Sequence, residues 1–187
     1  PKQKAEYLEA ISNGSLKATV AQLEETADWD VDAVNLKAVR DNGKLVISGR
    51  KLFVPDAASA DLLICIATND ESPVILPVSK GAEGVKIKSM PAMDETRKLY
   101  EVHFNNVSVN GADVFGADGN ARGALLQATQ VATVALCAEM VGGMQWILDT
   151  TVEYAKTRHQ FGRPIGSFQA VQHQCADMLL MTESARS

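Results

Sequence analysis

The segment between residues 158 and 169 carries the residues whose types and spacing best suit binding chemistry. It reads Arg-His-Gln-Phe-Gly-Arg-Pro-Ile-Gly-Ser-Phe-Gln. Arg158, Gln160 and Gln169 form a polar set suited to an anionic ligand, because the planar guanidinium of arginine matches the geometry of phosphate. The same segment also has what an ordinary connection between two helices needs, namely a basic last turn, a stopping glycine and a serine N-cap at Ser167. From the residues alone, both interpretations stay open.

Other residues capable of chemistry are scattered along the chain. Its 3 cysteines are too few and too widely spaced for a disulfide framework or a Cys-x-x-Cys metal pair. This pattern favours a reducing, intracellular compartment, and we expect Cys137 and Cys175 to be small core residues on helices. The 3 histidines are predicted to be surface or hydrogen-bonded residues, so no metal site is predicted.

Composition limits the function classes before any element is placed. The chain has 187 residues, of which 46% are hydrophobic and 22% charged, and its net charge is -5. This composition predicts a folded protein, and the acidic balance argues against nucleic acid as a partner. Because the sequence begins at Pro1 and stops at Ser187 within a helical pattern, we expect it to be part of a longer protein.

The elements that must position these residues fall into three zones. Apolar residues at helical spacing predict a helix from Lys2 to Ser12, with Gly14 as its stop. Between about residues 35 and 109 the period becomes two, and Asn42-Gly43 indicates a tight hairpin turn. Short strands at this spacing favour a sandwich or barrel. We therefore predict an α+β protein with domains at residues 1–15, 16–117 and 118–187.

The last zone is predicted to be helical. Residues 123–138 contain no charged side chain, which is typical of a buried helix or of a membrane span. Glu139, Gln145 and the Gly142-Gly143 pair interrupt the apolar run, so we expect a helix covered by missing sequence or by another subunit, with no membrane span. A second helix is predicted to start at Ser167.

A family resemblance rests on the run Arg158-x-Gln160-Phe161-Gly162-x-Pro164-Ile165-x-x-Phe168-Gln169, continued by Val171-Gln172-His173 and Ala176-Asp177-Met178. This run closely resembles the acyl-CoA dehydrogenase family, and the resemblance covers essentially the whole chain. It implies an antiparallel β-barrel or sandwich domain followed by the long antiparallel helices of an incomplete four-helix bundle. Residues 1–15 would be the end of an N-terminal helical domain.

The resemblance also implies an activity. Family members remove two hydrogens from the α and β carbon atoms of an acyl-CoA thioester, and a hydride passes to N5 of FAD. The partners implied are acyl-CoA, an electron-transfer flavoprotein and further subunits in a homo-oligomer or hetero-oligomer. The compartment implied is the cytoplasm, or the mitochondrial matrix in a eukaryote. We expect this fragment alone to be inactive.

Two segments hold each FAD in the family, and one of them matches well here. The matching residues would contact the FAD of a neighbouring subunit; they are Arg158, Gln160, Phe161, Phe168 and Gln169.

The segments that would hold the chain's own FAD depart from the family pattern. Where the family typically reads Thr-Glu-Pro-Gly-Ala-Gly-Ser-Asp, this chain keeps only Glu24, Ala27 and Asp30. Phe53-Val54-Pro55 stands where the family has a Trp-Ile-Thr or Trp-Ile-Ser step, and proline offers neither a hydroxyl nor an N–H group. Each unpartnered polar group of a buried flavin costs about 1–3 kcal/mol. We therefore expect the chain to bind its own FAD poorly.

The helix that approaches substrate in the family departs as well. Its usual Asp-x-x-Arg element falls on residues 130–133, which leaves Gln130 and Thr133 as candidate substrate contacts. The position where some branches carry the catalytic glutamate is Ala132, and Glu139 is the one nearby acid. We expect a structural or interface role for Glu139, and no catalytic base is identifiable.

Three functions remain open from the sequence. The first is an FAD-dependent acyl-CoA dehydrogenase. The second is a subunit that binds no FAD of its own and lends its Arg158 segment to a competent family member. The third is a related flavin oxidase or monooxygenase on the same fold.

Overall fold

The structure, a computed structural model, describes residues 2–116 and 119–187. It divides into two compact units, Pro1–Leu126 and Gln127–Ser187. The predicted domain boundary between residues 117 and 118 lies outside the described residues. In chain order the elements are α1 (Lys2–Ser12), β1 (Ala18–Ala21), β2 (Ala38–Asp41), β3 (Lys44–Pro55), β4 (Leu62–Asn69), β5 (Ser72–Ser79), β6 (Val85–Met90), β7 (Leu99–Asn110), α2 (Ala121–Thr157), β8 (His159–Gln160), β9 (Arg163–Pro164) and α3 (Gln169–Arg186).

The first unit contains two sheets that pack face to face. One has the strand order β1-β4-β5 and the other β2-β3-β7-β6. A single apolar cluster draws side chains from both sheets, including Leu63 and Leu76 from the first and Ile47 and Val102 from the second. This arrangement confirms the predicted β-sandwich. One detail was not anticipated, because β1, which is only four residues long, pairs in parallel with β4.

Local sequence accounts for the turns and for the burial pattern of β3. Asn42 and Gly43 have positive φ values of 46° and 80°, and the strands they join pair in register from Asp41 and Lys44 outward. The predicted hairpin is therefore confirmed. Along β3, the alternation that buries Leu45 and Ile47 continues past a bulge and also buries Lys51.

The second unit contains most of α2, the β8–β9 hairpin and α3. Gly166 lies against Ala155, and the Arg186 guanidinium donates to Gln145 Oε1 at 2.6 Å, so α3 runs antiparallel to α2. The predicted start of the second helix at Ser167 is wrong. Ser167 ends a short 3₁₀ turn and its hydroxyl donates to the Pro164 carbonyl at 2.7 Å, whereas α3 begins at Gln169 with Phe168 as its N-cap residue.

The apolar helix α2 is largely uncovered within this chain. By length and composition it could cross a membrane, and only 6% of its most apolar window is buried. Large side chains such as Val134, Met140 and Trp146 are exposed. Cys137 is exposed on the same helix, so its prediction as a core residue is wrong for this chain, because nothing in the described residues packs over that face.

Gly84 supports a prediction about the sandwich. Its φ is +87°, and a Cβ atom there would overlap the backbone carbonyl of Asn105. Gly84→Ala is therefore expected to lower the free energy of unfolding by about 3 kcal/mol, from strain and overlap together.

Gly14 provides the matched control. It also has positive φ, at +76°, but a Cβ atom there would meet open space. Gly14→Ala should cost only about 1 kcal/mol. Urea unfolding of the two variants measures the difference, and equal losses would contradict the close approach at Gly84.

Candidate functional site

The segment of residues 158–169, here called the RxQFG segment, folds into a tight hairpin followed by a 3₁₀ turn. His159 pairs with Pro164 and Gln160 with Arg163, and the turn residues Phe161 and Gly162 have positive φ values of 52° and 78°. Two consecutive positive φ values indicate a type I′ turn. The sequence analysis did not predict this hairpin, although Phe161-Gly162 followed by Arg163-Pro164 indicates a turn.

Backbone hydrogen bonds fix this hairpin in place. The Ile165 N–H donates to the Arg158 carbonyl at 2.8 Å, which extends the strand pairing by one step. The Phe168 N–H donates to the Ile165 carbonyl at 3.1 Å, and the Gln172 side chain donates to the Gly166 carbonyl at 2.9 Å. The polar side chains of the segment therefore extend from an ordered backbone.

The donor set of the RxQFG segment faces solvent. Arg158, Gln160 and Gln169 are exposed, and neither Arg158 nor Arg163 forms an ion pair within the described parts of the chain. Phe161 is 93% exposed. Guanidinium and amide groups beside an exposed aromatic ring can bind an anionic phosphate and a planar ring together. The chemistry of this donor set fits FAD.

The acidic loop, residues 23–30, is organised around a buried ion pair. The Glu24 carboxylate accepts hydrogen bonds from the N–H groups of Asn35 and Leu36, both at 2.9 Å, and from Lys51 Nζ at 2.7 Å. Lys51 has no exposed side-chain surface and also donates to the Gln22 carbonyl at 2.8 Å. Burial raises the pKa of Glu24, but these hydrogen bonds outweigh it and hold the pKa below its usual value.

Lys51 is a structural residue that sequence reasoning missed. The signal that marks it is the two-residue alternation of β3, which places this lysine on the buried face with Leu45 and Ile47. A charge at such a position needs a partner of opposite charge. Glu24, predicted as part of the chain's own FAD site, is that partner.

The remaining residues of the predicted own-FAD site are also occupied by contacts within the chain. Asp30 Oδ1 accepts from the Asp32 N–H at 3.0 Å and caps a 3₁₀ turn. The Pro55 carbonyl accepts from the Thr19 hydroxyl at 2.6 Å, and Val54 is buried. Phe53 has a positive φ of 54° and its N–H contacts the Met90 sulfur at 3.4 Å. Leu23 is buried, whereas Trp29 is exposed on the loop.

This donor set does not fit a flavin. The positions where the family carries hydroxyl groups hold Leu23, Trp29 and Pro55, none of which has a hydroxyl. Glu25 and Asp28 add negative charge to the same loop, which opposes an anionic diphosphate.

The candidates on α2 lie on its exposed surface and do not assemble into a catalytic group. Gln130, Thr133 and Glu139 are all exposed, and the Thr133 hydroxyl donates to the Thr129 carbonyl at 2.8 Å. Within residues 2–116 and 119–187, no group of three or more His, Cys, Asp or Glu side chains could hold a metal ion. Burial raises the pKa of Cys65 to about 12, which makes that thiol unreactive.

Comparison with known proteins gives concordant matches. The family model described as "Acyl-CoA dehydrogenase, C-terminal domain" matches residues 122–187. The mitochondrial isovaleryl-CoA dehydrogenase of Oryza sativa subsp. japonica is 33% identical over 100% of this chain and 47% of its own length. The chain therefore spans about half the length of the curated relatives it matches.

Two solved structures extend this result. The butyryl-CoA dehydrogenase of Megasphaera elsdenii has a TM-score of 0.92 at 24% identity, covering 99% of this chain and 50% of its own, which shows the shared fold. The FAD complex of PigA has a TM-score of 0.88 at 30% identity, covering 98% of this chain and 50% of its own. The predicted fold class is confirmed.

The buried pair supports a prediction about stability. Lys51→Met leaves the Glu24 carboxylate without its buried partner and should lower the free energy of unfolding by about 3–5 kcal/mol. Lys51→Met combined with Glu24→Gln should cost clearly less than the two single changes added together.

Arg50→Met is the matched control for this cycle. Arg50 neighbours Lys51 but is exposed and pairs with Glu25 and Glu101. Because this exposed pair is screened by solvent, its loss should lower the free energy of unfolding clearly less than the loss of Lys51 does. Chemical denaturation measures all four variants, and strict additivity of the Glu24 and Lys51 changes would refute their coupling.

Glu24 also gives the unfolding free energy a defined pH dependence. Its pKa is lower in the folded chain than in the unfolded one. Its contribution should therefore be fully present above the unfolded pKa of about 4.3 and be lost as the pH falls through the folded pKa. The gap in unfolding free energy between the wild type and Glu24→Gln, measured by urea titration, should stay constant near neutral pH and narrow below about pH 4.

Proposed function

The chain belongs to the acyl-CoA dehydrogenase family, and from that premise we propose that it is part of a flavin-dependent acyl-CoA dehydrogenase. The observation that carries this proposal is the RxQFG segment, whose exposed donors and exposed Phe161 ring suit a phosphate-bearing flavin. The proposed substrate is an acyl-CoA thioester, and the proposed electron acceptor is an electron-transfer flavoprotein. The proposed compartment is the cytoplasm, or the mitochondrial matrix if the source is eukaryotic.

The residues of this chain would contribute binding and orientation. Bound FAD would supply the two-electron chemistry by accepting the hydride from the β carbon of the thioester. Arg158 would bind the phosphate groups through its planar guanidinium, and Gln160 and Gln169 would donate further hydrogen bonds. Phe161 and Phe168 would offer aromatic surface to the ring systems. The proton acceptor for the α carbon would lie in sequence beyond this chain or in a partner.

A second candidate function is favoured by the acidic loop. In this alternative the chain binds no FAD of its own and serves as the partner subunit of a heteromeric acyl-CoA dehydrogenase. Its RxQFG segment would complete the FAD site of the competent neighbour. The supporting observation is that Glu24, Asp30 and Pro55 are engaged in contacts within the chain.

Co-expression tests which of the two functions applies. The protein purified alone should be colourless if the acidic loop binds no flavin, and it should acquire flavin absorbance when co-expressed with a second family member. A protein that is yellow when purified alone supports the self-sufficient dehydrogenase. If the flavin-loaded form consumes oxygen with an acyl thioester but reduces no electron-transfer flavoprotein, it is a flavin oxidase instead.

Arg158→Met tests the binding role directly. Loss of its charge-assisted hydrogen bonds should weaken FAD binding by the assembled protein about 10- to 100-fold, measured by flavin release on dilution. Pro55→Glu places a charge at the predicted own-FAD position and should leave the flavin content unchanged in the heteromeric case. Lys156→Met removes an exposed cation from the last turn of α2 and is the control for charge loss. Unaltered FAD affinity in Arg158→Met would exclude the proposed role of the segment.

A further inference from the structure

Arg163 makes a contact in the RxQFG segment that the family motif does not specify. Its guanidinium carbon lies 4.1 Å from the centroid of the Phe168 ring. The Phe161 ring meets the same Phe168 ring edge-to-face, with centroids 6.2 Å apart and an interplanar angle of 86°. Phe168 is therefore contacted both by a cation and by a second aromatic ring.

The hairpin register places Arg163 beside the predicted phosphate donors. Arg163 pairs directly with Gln160 across β8 and β9, so the two side chains leave the same face of the hairpin. The next step of the pairing joins Ile165 to Arg158 through a 2.8 Å backbone hydrogen bond. Because side chains alternate along a strand, Arg158, Gln160 and Arg163 belong to one face.

The contact with Phe168 leaves N–H donors of Arg163 available. A guanidinium carries several N–H donors, and a cation–π contact with one ring does not use all of them. Arg163 forms no ion pair with a carboxylate in the parts of the chain that the structure describes. Because the ring already restricts the side chain, binding an anion would cost Arg163 less conformational entropy than a freely moving arginine.

We propose that Arg163 is a second cation of the RxQFG segment, which binds the diphosphate group of FAD together with Arg158, and that Phe168 holds it in position. This inference rests on the proposed function. A diphosphate linking two nucleotide halves carries one negative charge on each phosphorus, so one arginine leaves one charge unmatched. The pair Arg158 and Arg163 supplies both.

The test uses the assembled, flavin-loaded protein, formed with a second family member if the chain alone is colourless. FAD affinity is measured by recovery of flavin fluorescence on dilution, at several salt concentrations. Arg163→Met should weaken FAD binding about 10-fold or more and should reduce the dependence of affinity on salt, because one ionic contact is lost. Arg163→Lys keeps the charge but loses the planar fork, so its affinity should lie between those of Arg163→Met and the wild type. Lys156→Met should bind FAD as the wild type does.

Phe168→Leu tests how Arg163 is positioned. If the ring holds the guanidinium, the two substitutions should not act independently on FAD affinity. The fold-loss of FAD affinity in the double variant Arg163→Met, Phe168→Leu should then be smaller than the product of the fold-losses in the two single variants. Arg163→Met with wild-type affinity and wild-type salt dependence would overturn the inference. If Arg158→Met also retained FAD, the proposed function would fail with it, whereas loss of FAD in Arg158→Met alone would leave the proposed function standing. Should Arg163→Met not assemble, Arg163→Lys is the deciding variant, and wild-type FAD affinity in Arg163→Lys would overturn the inference.

Discussion

The buried contact between Lys51 and Glu24 determines how the first unit presents its acidic loop. Lys51 lies within the β-sandwich with no exposed side-chain surface, and its ammonium group donates to Glu24 and to the Gln22 carbonyl. Glu24 in turn accepts the N–H groups of Asn35 and Leu36. One lysine thereby links β3, the loop that follows β1 and the segment leading into β2. A buried charge tolerates little displacement, because any movement that separates it from its partner leaves it desolvated and unpaired.

The two predicted flavin segments differ in how many of their polar groups are hydrogen-bonded within the chain. Glu24 accepts from the Asn35 N–H and Asp30 from the Asp32 N–H, and the Pro55 carbonyl accepts from the Thr19 hydroxyl. The side chains at the other predicted positions are apolar or aromatic. The RxQFG segment shows the opposite pattern, since its backbone is tied by hydrogen bonds while Arg158, Gln160 and Phe161 remain exposed. The acidic loop thus uses these acceptors within the chain. In the RxQFG segment the Gln160 amide donates to the His159 carbonyl at 2.9 Å, whereas the Arg158 guanidinium forms no ion pair within the described residues.

The sequence predicts the elements whose signals are local and leaves out those that depend on contacts. The Asn42-Gly43 hairpin and α1 follow from turn chemistry and period, and both form as predicted. Strand β1 forms because it pairs with β4, which is distant in the sequence. Its four residues are too few for an alternating pattern to predict a strand. The misplaced start of α3 has a similar cause, because the Ser167 hydroxyl donates to the Pro164 carbonyl rather than capping the helix.

Among the site residues, the sequence motif identified Arg158 and Phe168. Arg163 was recognised only from its contact with the Phe168 ring in the structure.

Under the proposed function, the difference between the acidic loop and the RxQFG segment determines how many flavins a pair of chains can bind. In a symmetric pair of identical chains, each interface site would combine one acidic loop with one RxQFG segment from the partner, and the two sites would be equivalent. A closed acidic loop would then disable both sites, however well the RxQFG segments bind. A pair of unlike chains could still bind flavin at one site. There the competent chain would supply its own flavin-binding loop, and this chain would supply Arg158. Such a pair would hold a single flavin, and the largely exposed apolar face of α2 gives this chain an extensive surface with which to form it.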